Sequence, residues 1–213
     1  MKILALSDIH SRIETLKKLL EKAKNKEIDL ILVLGDLTNF GGKKEAIEVI
    51  KPIKKLNKKI LAISGNLDRK EVVELLEKEG ISLHSKKEEF KGIVFVGFGA
   101  GIYLTESVEP NEEKIYEKLK ELSEKTENIF LVTHFPPKNS SIDKNHAGKH
   151  IGSKAVRKII EEFSPEFSFS GHCHEAKGTE IIGKTFCVNT GAVKDGKMVL
   201  FDTKTKKLEG IEL

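Results

Sequence analysis

Apolar residues gather along this chain in short, nearly unbroken runs at positions 3–6, 30–34, 60–63, 93–98, 129–132 and 167–169, mostly Ile, Leu, Val and Phe. A strand with one wet face would alternate, so runs of this kind predict strands covered on both sides. Between several of them the apolar residues take helical spacing, as in Ile13, Leu16, Leu19, Leu20 and Ala23, or Val72, Val73, Leu75 and Leu76, or Ile115, Leu119 and Leu122. Ser11 with Glu14, and Asp68 with Glu71, have the spacing of capping boxes, and Ser153 is placed to cap a helix that follows it. Pro52 is expected to end the helix that begins near Lys43. Strands alternating with helices through the first two thirds predict a layered α/β domain. The last 40 or so residues hold strand-like pieces at 184–189 and 198–203 without a helix, which predicts an antiparallel extension or second sheet. No repeat, linker or low-complexity segment divides the chain, so residues 1–213 read as one domain.

Composition narrows the class. No apolar stretch reaches the 18 or so residues of a membrane span, and the first run stops at Ser7-Asp8 instead of a small-residue cleavage site. Two cysteines, neither in a repeated Cys-x-x-Cys pattern, indicate neither a disulfide framework nor a zinc ribbon. A soluble cytoplasmic protein is the expectation. The net charge is +4, yet lysines are dispersed and interleaved with glutamate, which argues for a solvated surface and against a nucleic-acid partner.

The chemistry lies where the runs end. ILALS is followed by Asp8 and His10, LILVLG by Asp36, ILAISG by Asn66, IFLVT by His134, and FSFSG by His172 and His174. Ligands of layered α/β domains bind at the carboxyl ends of strands. Each residue alone has an ordinary explanation as a turn former or surface side chain, but five strands releasing such groups together point to one site. Seven candidate ligands exceed the roughly four of a single tetrahedral ion, whereas two neighbouring ions sharing a carboxylate would use them all. Imidazole, carboxylate and amide oxygen together suit manganese first, with iron, zinc, nickel or cobalt as alternatives. Two divalent ions less Asp8, Asp36 and one bridging hydroxide leave roughly one positive charge, attractive to a phosphate oxygen. Hydrolysis of a phosphoester by that hydroxide is the reaction such a centre favours.

The motifs SDIH, GD, GN, TH and GHCH, in this order and after these strands, resemble the calcineurin-like metallophosphoesterase superfamily over most of the chain. HFPP at 134–137 and VNTGA at 188–192 also look like family features. The resemblance implies a four-layer αββα sandwich, helices outside two central mixed β-sheets, with a two-metal centre at the strand ends. By position, Asp8, His10, Asp36 and His174 would hold one ion and Asp36, Asn66, His134 and His172 the other, with Asp36 as the bridge. The family usually has a histidine after Gly-Asn that stabilises the transition state or protonates the leaving group; here Leu67 takes its place.

Leu67 leaves the proton donor open. His146 and His150, in a Gly-containing loop, are candidates, against the plainer reading of exposed loop histidines. Arginine stands only at positions 12, 69 and 157. Arg12 and Arg69 closely follow ligand motifs and are candidates to bind a second phosphate or a carboxylate of the substrate, unless they simply occupy solvent-facing first-turn positions. Arg157 is expected to pair along a helix surface, Cys173 is read as packing and His84 has no matching motif. The leading function is a metal-dependent phosphoesterase acting on phosphodiesters or other small phosphorylated substrates. The alternatives are a metal-holding interaction scaffold, motivated by Leu67, and a nuclease.

Overall fold

The computed structural model describes residues 1–100 and 111–213. The first half alternates β1 (Lys2–Leu6), α1 (Ile13–Ala23), β2 (Leu30–Leu34), α2 (Lys43–Lys54), β3 (Lys59–Ile63) and α3 (Lys70–Lys78). There follow β4 (Lys86–Phe90), β5 (Ile93–Phe98), α4 (Glu112–Ser123), β6 (Ile129–Thr133), α5 (Lys154–Phe163) and β7 (Phe167–Ser170). The chain then runs through β8 (Gly178–Ile182), β9 (Thr185–Asn189), β10 (Lys197–Asp202) and β11 (Lys207–Glu212).

Two mixed sheets form, ordered β11-β10-β1-β2-β3 and β4-β5-β6-β7-β9-β8. In the first, β1, β2 and β3 are parallel while β10 and β11 join antiparallel. In the second, β5, β6, β7 and β9 are parallel, with β4 and β8 antiparallel at the edges. Side-chain alternation divides each strand between two cores. Ile3 and Ala5 of β1, with Leu30, Leu32 and Leu34 of β2, face the second sheet and meet Phe95, Phe130, Val132, Phe167 and Phe169. Leu4 and Leu6 face the other way, onto Leu16, Leu19 and Leu20 of α1 and Val72, Leu75 and Leu76 of α3. On the far side Val96 and Leu131 meet Ile115 and Leu119 of α4 and Val156, Ile159 and Ile160 of α5. The result is the expected four-layer sandwich, and both central sheets are apolar on two faces.

The layer between the sheets is aromatic. Phe130 stacks edge-on to Phe95 at 5.4 Å and to Phe167 at 4.7 Å, and Phe201 of β10 meets Phe167 at 5.2 Å. Each such pair adds about 0.5–1.5 kcal/mol beyond area burial.

Three local expectations are corrected. Ser11 does not cap α1: its φ is +59°, outside the extended region an N-cap needs, and Arg12 takes the cap position without a side-chain hydrogen bond. Asp68 does not cap α3, which begins after Arg69, because its carboxylate is turned inward to loop amides. Pro52 does not end α2, which continues to Lys54; so near the terminus the missing N–H costs one helical bond. Ser153 does cap α5, accepting from the Val156 N–H at 3.1 Å. No helix among the described residues is long and apolar enough to cross a membrane.

Candidate metal centre

Five parallel strands end on one edge, and their exit loops are laced together by backbone bonds. The N–H of Asp8 donates to the Gly35 carbonyl at 3.0 Å, those of Ile9 and His10 to the Asp36 carbonyl at 2.8 and 3.0 Å, and that of Ser11 to Leu37 at 3.0 Å. This course requires left-handed backbone at residues that pay for it: φ is +54° at Asp8, +47° at His10, +50° at Asp36 and +64° at His172. Each costs about 1–3 kcal/mol and persists because its surroundings leave no alternative. Gly35, with φ +96°, could not carry a side chain, since a Cβ there would lie 2.6 Å from Nδ1 of His134.

The ligand candidates meet at these ends. Oδ1 of Asp8 lies 3.0 Å from Nε2 of His174 and 3.7 Å from Nε2 of His10. Oδ2 of Asp36 lies 3.8 Å from Nε2 of His10 and 3.6 Å from Nε2 of His134, so this carboxylate faces both. Its other oxygen accepts the Leu67 N–H at 2.7 Å. Asn66 places Oδ1 2.9 Å from Nε2 of His134, whose Nδ1 donates to the Leu34 carbonyl at 2.7 Å. Within this cluster Asp8, His10 and His174 form one group with donor atoms within 4.8 Å of one another, and Asp8, Asp36 and His134 form a second. His172 gives its backbone N–H to Oδ2 of Asp8 at 2.9 Å, and its ring packs 5.2 Å from that of His134 and 4.5 Å from Phe135.

These residues fit metal ions on their own chemistry. Nε2 of His10 is buried without a hydrogen-bond partner, between two carboxylates. A buried polar atom left so costs about 1–3 kcal/mol, which a cation at that point would remove. The Leu34 carbonyl holds a proton on Nδ1 of His134, so that Nε2, 2.9 Å from Oδ1 of Asn66, is the nitrogen that would ligate an ion.

The charges are strongly coupled. Burial pushes the Asp8 carboxyl up, but the nearby His10 imidazole, the hydrogen bond from His174 and the charge of His134 outweigh it and hold Asp8 well below the usual carboxylate range. Burial lowers His134, yet the Asp36 carboxylate beside it raises its pKa to about 9. His172, half-buried and near His134, is pushed down to about 4 by the loss of solvent around it and by that neighbour's charge. Asp68, fully buried and close to the Asp36 charge, is pushed up to about 6. It accepts the N–H groups of Leu37, Thr38 and Gly65 at 3.0, 2.8 and 2.9 Å, tying the loop of Asp36 to that of Asn66.

The remaining candidates lie around this centre. Arg12 and Arg69 are exposed at the cap positions of α1 and α3, without an ion-pair partner among the described residues. Arg157 pairs with Glu161 along α5 at 2.6 Å. His146 is exposed and contacts Glu175 at 2.7 Å, while His150 bonds the buried Asp143. Cys173 is buried packing, although the backbone there bends instead of extending. His84 is buried away from the cluster, with Nδ1 accepting the Gly99 N–H at 2.9 Å. Two contributors escaped the sequence reading. Asp143 shows only as an acid seven residues before His150, and Asn189, within VNTGA, ties two loops through its side-chain amide.

Known proteins resemble this chain in sequence and in fold. An uncharacterized protein, MJ1162, of Methanocaldococcus jannaschii is 36% identical over 198 residues, covering 89% of this chain and 87% of its own. The crystal structure of TT1561 of Thermus thermophilus superposes with a TM-score of 0.77 at 20% identity, over 99% of this chain and 98% of that one. An archaeal phosphodiesterase superposes with a TM-score of 0.60 at 19% identity over the whole of both chains. The family model described as calcineurin-like phosphoesterase matches residues 1–176, from the strand before Asp8 to just beyond His174. This chain therefore belongs to the calcineurin-like phosphoesterase family.

Proposed function

We propose that the protein is a two-metal phosphoesterase that hydrolyses phosphodiesters or other small phosphorylated molecules. The observation that carries this reading is the partnerless Nε2 of His10, buried between the carboxylates of Asp8 and Asp36. Two divalent cations, manganese first, would supply Lewis-acid polarisation of a phosphoryl oxygen and a more acidic water. The chain's own part is to hold the donors in place. Asp36 faces both histidine groups while the Leu67 N–H fixes its second oxygen, and Asp8 joins His174 to the His172 backbone. Access is from the half-buried side formed by His10, Asn66, Leu67 and His174. The likeness to an archaeal phosphodiesterase supports the choice of a diester. Lysines paired with acids, such as Lys26 with Glu209 and Lys59 with Glu88, support a small substrate over nucleic acid.

Leu67 motivates a second reading, a metal-holding scaffold without turnover. One experiment separates them: metal-stripped protein assayed on activated mono- and diesters after Mn²⁺, Ni²⁺, Zn²⁺ or Mg²⁺ is restored, beside Asp36→Asn. Hydrolysis should require added metal and fall in the variant by more than the roughly 10–100-fold typical of removing a group that merely orients a ligand. Full metal occupancy with no turnover of any ester would select the scaffold.

A further inference from the structure

Three histidines stand outside the ligand cluster, and their surroundings separate them. His84 is buried against the Gly99 amide and His146 has 87% of its side chain exposed. His150 is 34% exposed, and its Nδ1 bonds Oδ1 of Asp143, whose side chain is fully buried. That carboxylate is itself fixed by the backbone N–H groups of Asn139, Ser140 and Gly152 at 3.0, 3.1 and 3.2 Å. Both residues sit at the base of a closed loop, where Lys144 bridges His150 and the Ile151 N–H donates to the Asp143 carbonyl at 2.9 Å. An imidazole so held has one orientation, with Nε2 directed away from its carboxylate.

The loop is fastened to the metal ligands at two points. Nδ2 of Asn189 donates to the carbonyl of Ile142, next to Asp143, and to that of Cys173, between His172 and His174, both at 2.9 Å. His146 at the loop's tip meets Glu175, the residue after His174. The His150–Asp143 pair therefore borders the turn that carries two of the seven ligand candidates.

We propose that His150 donates the proton to the leaving-group oxygen, with Asp143 as its positioning residue, in place of the imidazole that Leu67 removes from the Gly-Asn motif. As water bonds to phosphorus, the bond from phosphorus to the leaving oxygen breaks and its electron pair goes to that oxygen. The oxygen takes the proton from Nε2–H of His150 and departs as an alcohol or phenol. His150 regains a proton from solvent, which receives the one lost by the attacking water.

This rests on the phosphoesterase reading, and the test keeps the two apart. Manganese-loaded wild type, His150→Gln and His150→Asn are assayed on a 4-nitrophenyl and an unsubstituted phenyl diester of the same acid. The first leaving group departs without a proton, so its rate should stay within a few-fold and also report an intact centre. The phenyl ester needs the proton, and its rate should fall by about 100-fold or more in both variants. Equal loss on both esters, or none on either, overturns the assignment of His150 alone. Wild type inert on both esters with every metal overturns the phosphoesterase reading as well.

Discussion

Replacing Gly65 by alanine would drive a methyl group into the carboxylate that faces both histidine groups. A Cβ at that position lies 2.1 Å from Oδ1 of Asp36 and 2.2 Å from its backbone nitrogen. Relief to ordinary contact at about 3.4 Å needs a shift of about 1.3 Å, more than six times the roughly 0.2 Å within which ligand distances must hold. The carboxylate cannot swing aside freely, because the same Oδ1 accepts the Leu67 N–H at 2.7 Å, and the nitrogen belongs to backbone laced to β1's exit loop. Overpacking of a close-packed site costs about 1–3 kcal/mol and the broken hydrogen bond about 1 more. At about 2–4 °C per kcal/mol for a chain of this size, Tm of the metal-free protein should fall by about 4–16 °C. Manganese retained after equilibrium dialysis, measured by elemental analysis, should fall with it. Gly80→Ala is the control: φ there is +68° with nothing within 4 Å of the new methyl, so it adds backbone strain of about 1–2 kcal/mol and leaves the metal content alone. Gly65→Ala with wild-type Tm and manganese content would refute the claim that close approach of these two loops builds the centre.

Burial holds the His84 imidazole down at about 4 against 6.5 when unfolded, so the unfolded chain takes up a proton that the folded one refuses. Stability must therefore fall as pH drops through 6.5 towards 4, by about 2 kcal/mol at pH 5 relative to pH 7.5, and His84→Gln should abolish that share of the slope in urea titrations; parallel pH profiles would contradict it. Ser153 caps α5 and also bonds Oε2 of Glu112 at 2.7 Å, so Ser153→Ala should cost about 1–2 kcal/mol in the same assay. Burial raises both thiols, Cys187 to about 12, so neither cysteine should react with a thiol reagent at pH 8 until denaturant is added, which timed labelling with mass spectrometry would read directly.

What the sequence made legible follows from burial. The six apolar runs became strands within a residue or so at either end, because strands covered on both faces have no reason to alternate. The strands it did not reveal, β4, β8 and β11, are all sheet edges, where charges as in KKEEF and KLEGIE blunt the unpaired backbone and erase the apolar signal. The ligand candidates were readable because each stands just after a strand end, a position defined by local pattern. Ser11 and Asp68 misled for the converse reason: their spacing fits a cap, but loops distant in sequence captured the backbone of one and the carboxylate of the other. The pairing of Asp143 with His150 closes a loop that no periodic pattern announces, and Asn189's link to the Cys173 carbonyl arises only once β7 and β9 have brought those loops together.

The strand leading to Asp8 is flanked on one side by β2 and on the other by β10, almost 200 residues downstream. Beyond that pairing, the Val193 and Lys194 N–H groups donate to the carbonyls of Ser7 and Asp8 at 2.9 and 3.0 Å. During synthesis the first-made ligand must therefore wait, with one flank bare, for a partner among the last-made strands, a separation that slows folding and exposes a sticky edge meanwhile. Capture of a cation at these residues would thereby be coupled to completion of the sheet, and a fragment stopping at residue 176, though it carries every candidate ligand motif, would lack the strand that seats the first of them.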